Sequence, residues 1–256
     1  TARLSHHDPM NHPRYATMVA ATFAALCAVA VLAGPKQPPK APAVDPYEPV
    51  VRQIEGWSVN VEPSLIDGEH AEEGKSALKM LGNHLQRVSI LVPEKQLAEL
   101  KKVEFWIEHA HPALTGKQYH PGKKWLVDRG YDPRLTNKIH ITHAEELFSR
   151  EQLLKHPAVI LHELAHAYHD LVLGFDDAEI VGAYDKAMAE GLYDKVMLFD
   201  GRLVKAYAAT NHKEYFAEAT EAYLYRNDFY PFVNGELKKH DPRLFKQMER
   251  VWGKAR

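Results

Sequence analysis

Residues 157–174 read PAVILHELAHAYHDLVLG and predict one buried helix. Pro157 suits the first turn of a helix, and Gly174 is a common helix end. Apolar side chains cover most of the circumference between these two residues, which indicates that the helix lies in the core. Three ionisable side chains lie inside this apolar segment, and burying them costs several kcal/mol unless each has a partner. We therefore expect partners elsewhere in the chain.

The three ionisable side chains are His162, Glu163 and His166, and they form the pattern H-E-x-x-H. His162 and His166 lie one turn apart on the same face, where two imidazoles can bind a single metal ion. In this pattern the histidines are zinc ligands, and the glutamate is the general base beside the reacting water. The alternative is a helix whose histidines hydrogen-bond to backbone or carboxylate groups in the core. A third ligand would distinguish the two interpretations.

Composition restricts where a third ligand can come from. The chain of 256 residues has 16 histidines and one cysteine, Cys27, which excludes a disulfide framework and a thiolate zinc site. A net charge of −2 provides no basic surface, so no nucleic-acid partner is expected. Any metal must be bound by His, Asp or Glu. His140, His143 and His156 have a suitable side chain, but each is interpreted as a surface or strand-face histidine.

The N-terminal segment predicts export. Residues 1–34 combine a polar start with a small, apolar run over 16–33, as in a secretory signal, although the run is also long enough for an uncleaved anchor. Residues 35–49 are proline-rich and predict a stiff linker. We expect a secreted, periplasmic or anchored protein that contacts the membrane only through this segment. One domain is expected over 50–256.

Strand patterns precede the helix with the H-E-x-x-H pattern, and helical patterns dominate after it. The predicted strands cover 50–63, 103–109 and 138–143, and the predicted helices before residue 157 cover 70–88, 93–102 and 144–154. The fold class is therefore predicted to be α+β, with a small N-terminal sheet and a mostly helical C-terminal part.

A second stretch, TNHKEYFAEATEAYLYR at 210–226, predicts a helix with one acidic stripe. Glu214, Glu218 and Glu221 lie on that stripe at helical spacing. One alternative is a solvated surface, and another is a capping box of Asn211 and Glu214 in which Glu214 serves only the backbone. Next to two buried histidines that lack a third ligand, Glu214 is the better candidate ligand. A carboxylate one turn later could then accept a hydrogen bond from a ligand histidine.

Two residues shortly after His166, His169 and Asp170, are further candidates for the same site. His169 does not fit the metzincin pattern, which requires glycine at this position and histidine where Val172 stands. Asp170 lies one turn after His166. It is interpreted either as the acceptor for the outer nitrogen of that histidine or as a solvated helix end.

The order of the two motifs resembles a known family. HELAH at 162–166 is followed at long range by Tyr207-x-x-Thr210-Asn211-x-x-Glu214-Tyr215-Phe216-Ala217-Glu218-Ala219. This arrangement is similar to the catalytic domain of the anthrax lethal factor family, zinc metallopeptidases of the gluzincin type with a zincin-like fold. The resemblance covers roughly residues 155–225 and does not extend to the toxin's targeting domains, so a toxin role does not follow.

The resemblance implies a role for each matching residue. It implies that His162, His166 and Glu214 are the zinc ligands. It implies that Glu163 is the general base, that Glu218 is the carboxylate behind a ligand histidine, and that Tyr207 supports the oxyanion. Without the resemblance, Tyr207 would be interpreted as a packing aromatic before a helix.

Together these residues predict a zinc metalloendopeptidase with one Zn²⁺ ion and a peptide or protein substrate. The strand 138–143, KIHITH, is interpreted as the sheet edge along which an extended substrate lies. Two alternatives remain. One is a non-catalytic envelope protein in which zinc braces a binding surface, and the other is a zinc amidase that acts on cell-wall material.

Overall fold

The structure, a computed structural model, describes residues 47–254, and the structural statements below refer to that range. The predicted signal or anchor at 1–34 and most of the predicted linker lie outside it. Within the described range, no helix is both long enough and apolar enough to cross a membrane.

The described strands form a five-stranded mixed sheet and a separate two-stranded ribbon. The strands are β1 (Val50–Ile54), β2 (Trp57–Val61), β3 (Glu104–Ile107), β4 (Lys117–Tyr119), β5 (Lys138–Ile141), β6 (Val196–Met197) and β7 (Leu203–Val204). The order across the large sheet is β1-β2-β3-β5-β4. The three central strands run parallel, and each edge strand pairs antiparallel with its neighbour.

Helices surround this sheet and make up most of the C-terminal half. They are α1 (Ala71–Leu91), α2 (Glu94–Leu100), α3 (Lys123–Arg129), α4 (Arg150–Lys155), α5 (Val159–Tyr168), α6 (Ala178–Ala189), α7 (His212–Leu224), α8 (Asn234–His240) and α9 (Pro242–Trp252). The predicted fold class, α+β with a small N-terminal sheet and a helical C-terminal part, is confirmed. The arrangement is consistent with a zincin-like fold.

The stretch predicted as one strand at 50–63 is a hairpin instead. Glu55 and Gly56 form its turn with positive φ angles of 51° and 89°. Gly56 adopts such an angle without strain because it has no Cβ. The prediction missed the turn because Glu-Gly is a weaker turn signal than Asn-Gly or Asp-Gly. Trp57, which begins the second strand of the hairpin, is fully buried, and its indole N–H donates to the carbonyl oxygen of Leu100 at 2.9 Å.

The strand KIHITH is not a sheet edge, so that prediction is wrong. Its ordered part, β5, lies between β3 and β4. The edge on this side is β4, which has only three residues in the sequence KQY. A strand this short has no alternation that a sequence pattern can detect. The consequence for the site is that β4, and not β5, is the sheet edge that contacts α5.

Helix α5 is enclosed by the sheet on one side and by the C-terminal helices on the other. Its apolar side chains belong to one large core that also contains Val59, Phe105 and Ile139 of the sheet. The helix begins at Val159, ends at Tyr168 and continues as a π-helical turn over His169–Leu173. Gly174 stops it with a φ of 81°, which confirms the predicted end. The contact with α7 brings the two predicted site helices together.

The helix predicted at 144–154 is divided into two shorter pieces. A 3₁₀ turn covers Ala144–Leu147, and α4 begins anew after Ser149. The Ser149 hydroxyl accepts a hydrogen bond from the Gln152 N–H at 3.2 Å and caps α4.

Replacing the buried His84 of α1 should make the protein less sensitive to acid. Burial, assisted by the positive charges of Arg87 and Lys117, lowers the pKa of His84 from 6.5 to about 4. The unfolded chain therefore takes up this proton first, so His84 removes stability as the pH falls from about 6.5 towards 4. Between about pH 7.5 and pH 5 the loss from this group should be about 2 kcal/mol.

Urea unfolding of the wild type and of His84→Leu at these two pH values measures the effect. The variant should lose about 2 kcal/mol less than the wild type on acidification. Asn83→Ala changes an exposed, uncharged neighbour on the same helix and should retain the full pH dependence. Equal losses in all three proteins would contradict a buried, neutral His84.

Candidate metal centre

Helix α5 presents both predicted histidine ligands on one face. Its other side chains are largely apolar and buried, and His162 and Glu163 are buried as well, with exposed fractions of 8% and 7%. His162 and His166 lie one turn apart, and their ring planes are nearly perpendicular at 83°. The two Nε2 atoms lie 3.1 Å apart. The helix geometry thus brings two imidazole nitrogens to one point, as the sequence predicted.

Helix α7 brings Glu214 to the same point. The Asn211 side chain caps this helix and accepts hydrogen bonds from the N–H groups of Lys213 and Glu214 at 2.9 and 3.0 Å. The capping alternative is therefore correct for Asn211. The Glu214 carboxylate nevertheless turns towards α5, and its Oε2 atom lies 3.1 Å from the Nε2 atoms of both His162 and His166. Asn211 satisfies the backbone, which leaves the Glu214 side chain available as a ligand.

These three atoms form a nearly equilateral triangle with sides of 3.1 Å. Each imidazole could donate one Nε2–H to the carboxylate, but no hydrogen bond could then join the two Nε2 atoms, so hydrogen bonding alone does not account for all three contacts. Atoms that bind one tetrahedral zinc at about 2.0–2.1 Å lie about 3.3 Å from one another. Two imidazole nitrogens and a carboxylate oxygen are also the donors that zinc prefers. The residues present therefore fit a zinc ion.

The far side of the first histidine contacts a carboxylate that the sequence analysis did not assign. The Nδ1 atom of His162 lies 2.6 Å from Glu221 Oε1 and 3.8 Å from Glu218 Oε1. The hydrogen bond expected for Glu218 is thus made by Glu221, which corrects that prediction. Both glutamates lie on the predicted stripe of α7, but the cross-helix contact favours the residue two turns after Glu214. A proton on Nδ1 leaves the Nε2 lone pair free for a metal.

Glu218 and Glu221 belong to a buried acidic cluster together with Asp228. One oxygen of each carboxylate is buried and has no hydrogen-bond partner in the described structure. Burial, followed by the charge of Glu221, raises the pKa of Asp228 to about 7. The same two causes raise the pKa of Glu218 well above its usual value. Glu218 and Asp228 therefore retain protons more readily than exposed carboxylates do.

The predicted general base is held by the sheet edge. The backbone N–H of Tyr119 in β4 donates to Glu163 Oε2 at 2.8 Å. Burial raises the pKa of Glu163, although the neighbouring His162 and His166 lower it in part. The hydrogen bond fixes one carboxylate oxygen at the sheet edge, and Glu163 lines the same cavity as the triangle residues. Sequence reasoning missed Tyr119 because β4 itself was not predicted.

The other candidate residues occupy different positions around the triangle. Tyr207 lies in a 3₁₀ turn before α7 and is 48% exposed, with its ring centroid 6.4 Å from that of His162. The Asp170 carboxylate accepts a hydrogen bond from the Tyr119 hydroxyl at 2.8 Å. The structure gives Asp170 this partner instead of His166, which corrects the first interpretation of that residue. It is not a free helix end either.

The other histidines considered above lie outside the triangle in the described part of the chain. His140 is fully buried on β5 near His120, and its Nε2 atom lies 3.5 Å from Glu108. His156 faces Asp228 at 3.5 Å. His169 is fully buried against Phe216, with ring centroids 4.7 Å apart. The rejection of His169 as a ligand agrees with this position.

A cavity of about 830 Å³ opens onto the triangle formed by His162, His166 and Glu214. Its lining includes the three triangle residues, Glu163 and Tyr207, together with Lys117 and Gln118 of β4. Leu198 and Phe229 contribute apolar surface to the same lining. The cavity therefore brings together the triangle, the candidate base, the candidate oxyanion donor and the sheet edge.

The sequence matches no family model and no curated protein. Among solved structures, one similar chain is described as the PRO-PRO endopeptidase (PPEP-2) from Paenibacillus alvei. The alignment has 20% identity, covers 75% of this chain and 95% of the other, and has a TM-score of 0.39. A TM-score this low does not establish a common fold.

Replacing Glu221 or Glu218, the two glutamates on the Nδ1 side of His162, should have unequal effects on zinc affinity. Glu221→Gln removes the charge that orients His162, so zinc affinity should fall about 10- to 100-fold. Glu218→Gln should cost less, because the pKa of Glu218 is already raised and an amide resembles the protonated acid. Competition with a chromophoric chelator measures both affinities. A larger loss for Glu218→Gln would return the supporting role to Glu218.

Proposed function

We propose that this protein is a zinc-dependent metallopeptidase of the gluzincin type. The observation that carries the proposal is the triangle of His162, His166 and Glu214 beside Glu163 in one open cavity. A structural zinc site is usually closed by four protein ligands. Here three candidate ligand residues converge, and all three line the open cavity. This arrangement favours catalysis over bracing.

Zinc in such a site would supply Lewis-acid chemistry, because it lowers the pKa of a bound water and polarises a substrate carbonyl. Glu163 would take the proton of the attacking water and then deliver it to the leaving amine. The Tyr119 N–H holds one oxygen of this carboxylate, which limits the rotation of the side chain. The carboxylate is buried, so its basicity is higher than that of an exposed glutamate.

Tyr207 is proposed to stabilise the negative charge that develops on the substrate carbonyl oxygen. Its ring lies beside His162 and lines the cavity, and no partner for its hydroxyl group is shown in the described structure. A hydroxyl held at this position can donate to the oxyanion in the transition state. The 3₁₀ turn Tyr207–Ala209 directly before α7 ties its position to that of Glu214.

The substrate is proposed to be an extended peptide that lies along β4. This strand is a sheet edge, and its residues Lys117 and Gln118 line the cavity. An extended chain can add to such an edge through backbone hydrogen bonds. The contact between β4 and Glu163 would place the scissile bond next to the base. A cell-wall amide is the second candidate substrate, and assays on peptides and on peptidoglycan fragments distinguish the two.

The first test of the proposal is Glu163→Gln. This variant keeps the shape of the side chain and removes the base, so zinc content should equal that of the wild type while turnover falls at least about 1,000-fold. Elemental analysis and a peptidase assay on the full chain measure the two quantities. Glu145→Gln changes an exposed glutamate and serves as the matched control. Turnover by Glu163→Gln close to the wild-type rate would refute the general-base role.

Tyr207→Phe removes only the proposed oxyanion donor. The loss of one such donor typically costs about 10²- to 10³-fold in kcat. We expect a fall of that order with unchanged zinc content and a small change in KM, because the hydroxyl acts chiefly in the transition state. Steady-state kinetics measure the split between kcat and KM, and Tyr225→Phe is the control. An unchanged kcat would assign Tyr207 to packing alone.

A further inference from the structure

A second histidine cluster lies apart from the residues of the proposed active site. It consists of His70 and Glu73 at the start of α1 and His109 directly after β3. The three side chains offer one ligand atom each, and all three atoms lie within 4.8 Å of one another. We propose that this cluster binds a divalent transition-metal ion of the zinc type. It shares no residue with the triangle on α5 and α7, so the inference does not depend on the proposed function.

The distances within the cluster suit a shared ion. Glu73 Oε2 lies 2.7 Å from the Nδ1 atom of His109 and 3.9 Å from that of His70. Ligand atoms around a tetrahedral zinc lie about 3.3 Å apart, which falls between these two values. Movements of about half an ångström in each side chain would equalise them. Such movements lie within ordinary side-chain freedom at a partly exposed site.

The two imidazole rings are stacked face to face, an arrangement that binding of a shared ion would have to change. Their centroids are 3.4 Å apart and their planes differ by only 5°. Aromatic rings prefer offset or edge-to-face contacts over such a direct face-to-face stack. The Nδ1 atoms of both rings are nevertheless directed towards the same carboxylate. A shared ion cannot lie in the planes of two parallel rings, so one ring has to turn before both Nδ1 atoms can bind it, and the unfavourable stack offers little resistance to that turn.

The carboxylate in the cluster also has an unused ligand atom. Glu73 Oε1 is buried and has no hydrogen-bond partner in the described structure. Leaving a buried carboxylate oxygen without a hydrogen-bond partner is energetically unfavourable. A metal ion bound by this carboxylate would remove that cost. This orphaned oxygen is an observation separate from the histidine pair.

The backbone holds both halves of the cluster in place without the side chains. The His109 N–H donates to the Glu62 carboxylate at 2.7 Å, and the His70 N–H donates to the Ser64 carbonyl oxygen at 3.0 Å. At Gly74, next to Glu73, an added Cβ would overlap the carbonyl oxygen of Leu65. One short segment, 62–65, thus positions all three ligand residues. Such preorganisation lowers the cost of binding an ion.

The donor set and exposure indicate which ion is bound. Two imidazoles with one carboxylate favour zinc, cobalt, nickel or copper over calcium and magnesium, which prefer oxygen ligands. The side chains of His70, Glu73 and His109 are 28%, 19% and 36% exposed, so an ion can enter from solvent. A bound ion would fasten α1 to the connection that leads from β3 to β4. The expected result is greater resistance to unfolding.

Zinc binding by the full chain tests the proposal. After equilibrium dialysis in a zinc buffer, elemental analysis should find about two ions per wild-type chain and about one in Glu214→Ala. Glu73→Gln should also lose about one ion. Glu72→Gln is the matched control, because Glu72 is the neighbouring carboxylate of the same helix turn, with its side chain 91% exposed. It should retain about two ions.

Each outcome decides the proposal separately from the active site. Glu214→Ala keeps every residue of the second cluster, so absence of zinc from this variant overturns the second site. The same result is compatible with metal binding by the triangle in the wild type. Equal zinc contents in Glu73→Gln and Glu72→Gln also overturn it. A chain that loses its ion in Glu73→Gln and keeps it in Glu214→Ala supports the second site and removes the triangle as a metal site. Zinc should also raise the melting temperature of Glu214→Ala, and His109→Ala in that background should abolish the increase.

Discussion

The contact between Glu214 and the histidine pair is the interaction on which the architecture of the site depends. It joins two helices separated by more than forty residues in the sequence, α5 and α7, through a triangle of atoms 3.1 Å apart. Without an ion the triangle places two imidazoles and a carboxylate in a largely buried space, which is costly unless their charges are matched. The Glu214 carboxylate is stabilised there by His162 and His166, which lower its pKa despite burial. A bound cation would convert this costly arrangement into a set of ligands.

Several capping and supporting contacts allow these polar groups to be buried. Asn211 satisfies the first N–H groups of α7, so Glu214 does not have to serve as a cap. Glu221 forms a hydrogen bond with the Nδ1 atom of His162, and the backbone N–H of Tyr119 donates to the Glu163 carboxylate. The Tyr119 hydroxyl donates in turn to Asp170 in the π-helical turn after α5. Tyr119 therefore links the sheet edge to Glu163 within α5 and to Asp170 in the π-helical turn that follows it.

The part of the site that lies on helices could be predicted from the sequence, whereas the part that depends on the sheet could not. His162, Glu163 and His166 share a helix, and their relation follows from its period. Glu214 required a second motif, because nothing in the spacing alone relates α7 to α5. The choice between Glu218 and Glu221 depends on the tilt between the two helices, and both residues fit the same stripe. β4 was missed because three residues carry no periodic signal, and its partner β5 was consequently mistaken for the edge.

The same reasoning explains why the second histidine cluster escaped a sequence search. His70 and Glu73 are three residues apart at the start of α1, but His109 follows β3, which is separated from α1 by the helix α2. Only the folded chain brings these residues together, and the segment 62–65 does so through backbone contacts that no residue type announces. In both clusters, a local pair of side chains on a helix gains its third donor from a distant element. A motif search finds such a pair, whereas the packing of the elements decides whether the pair becomes a site.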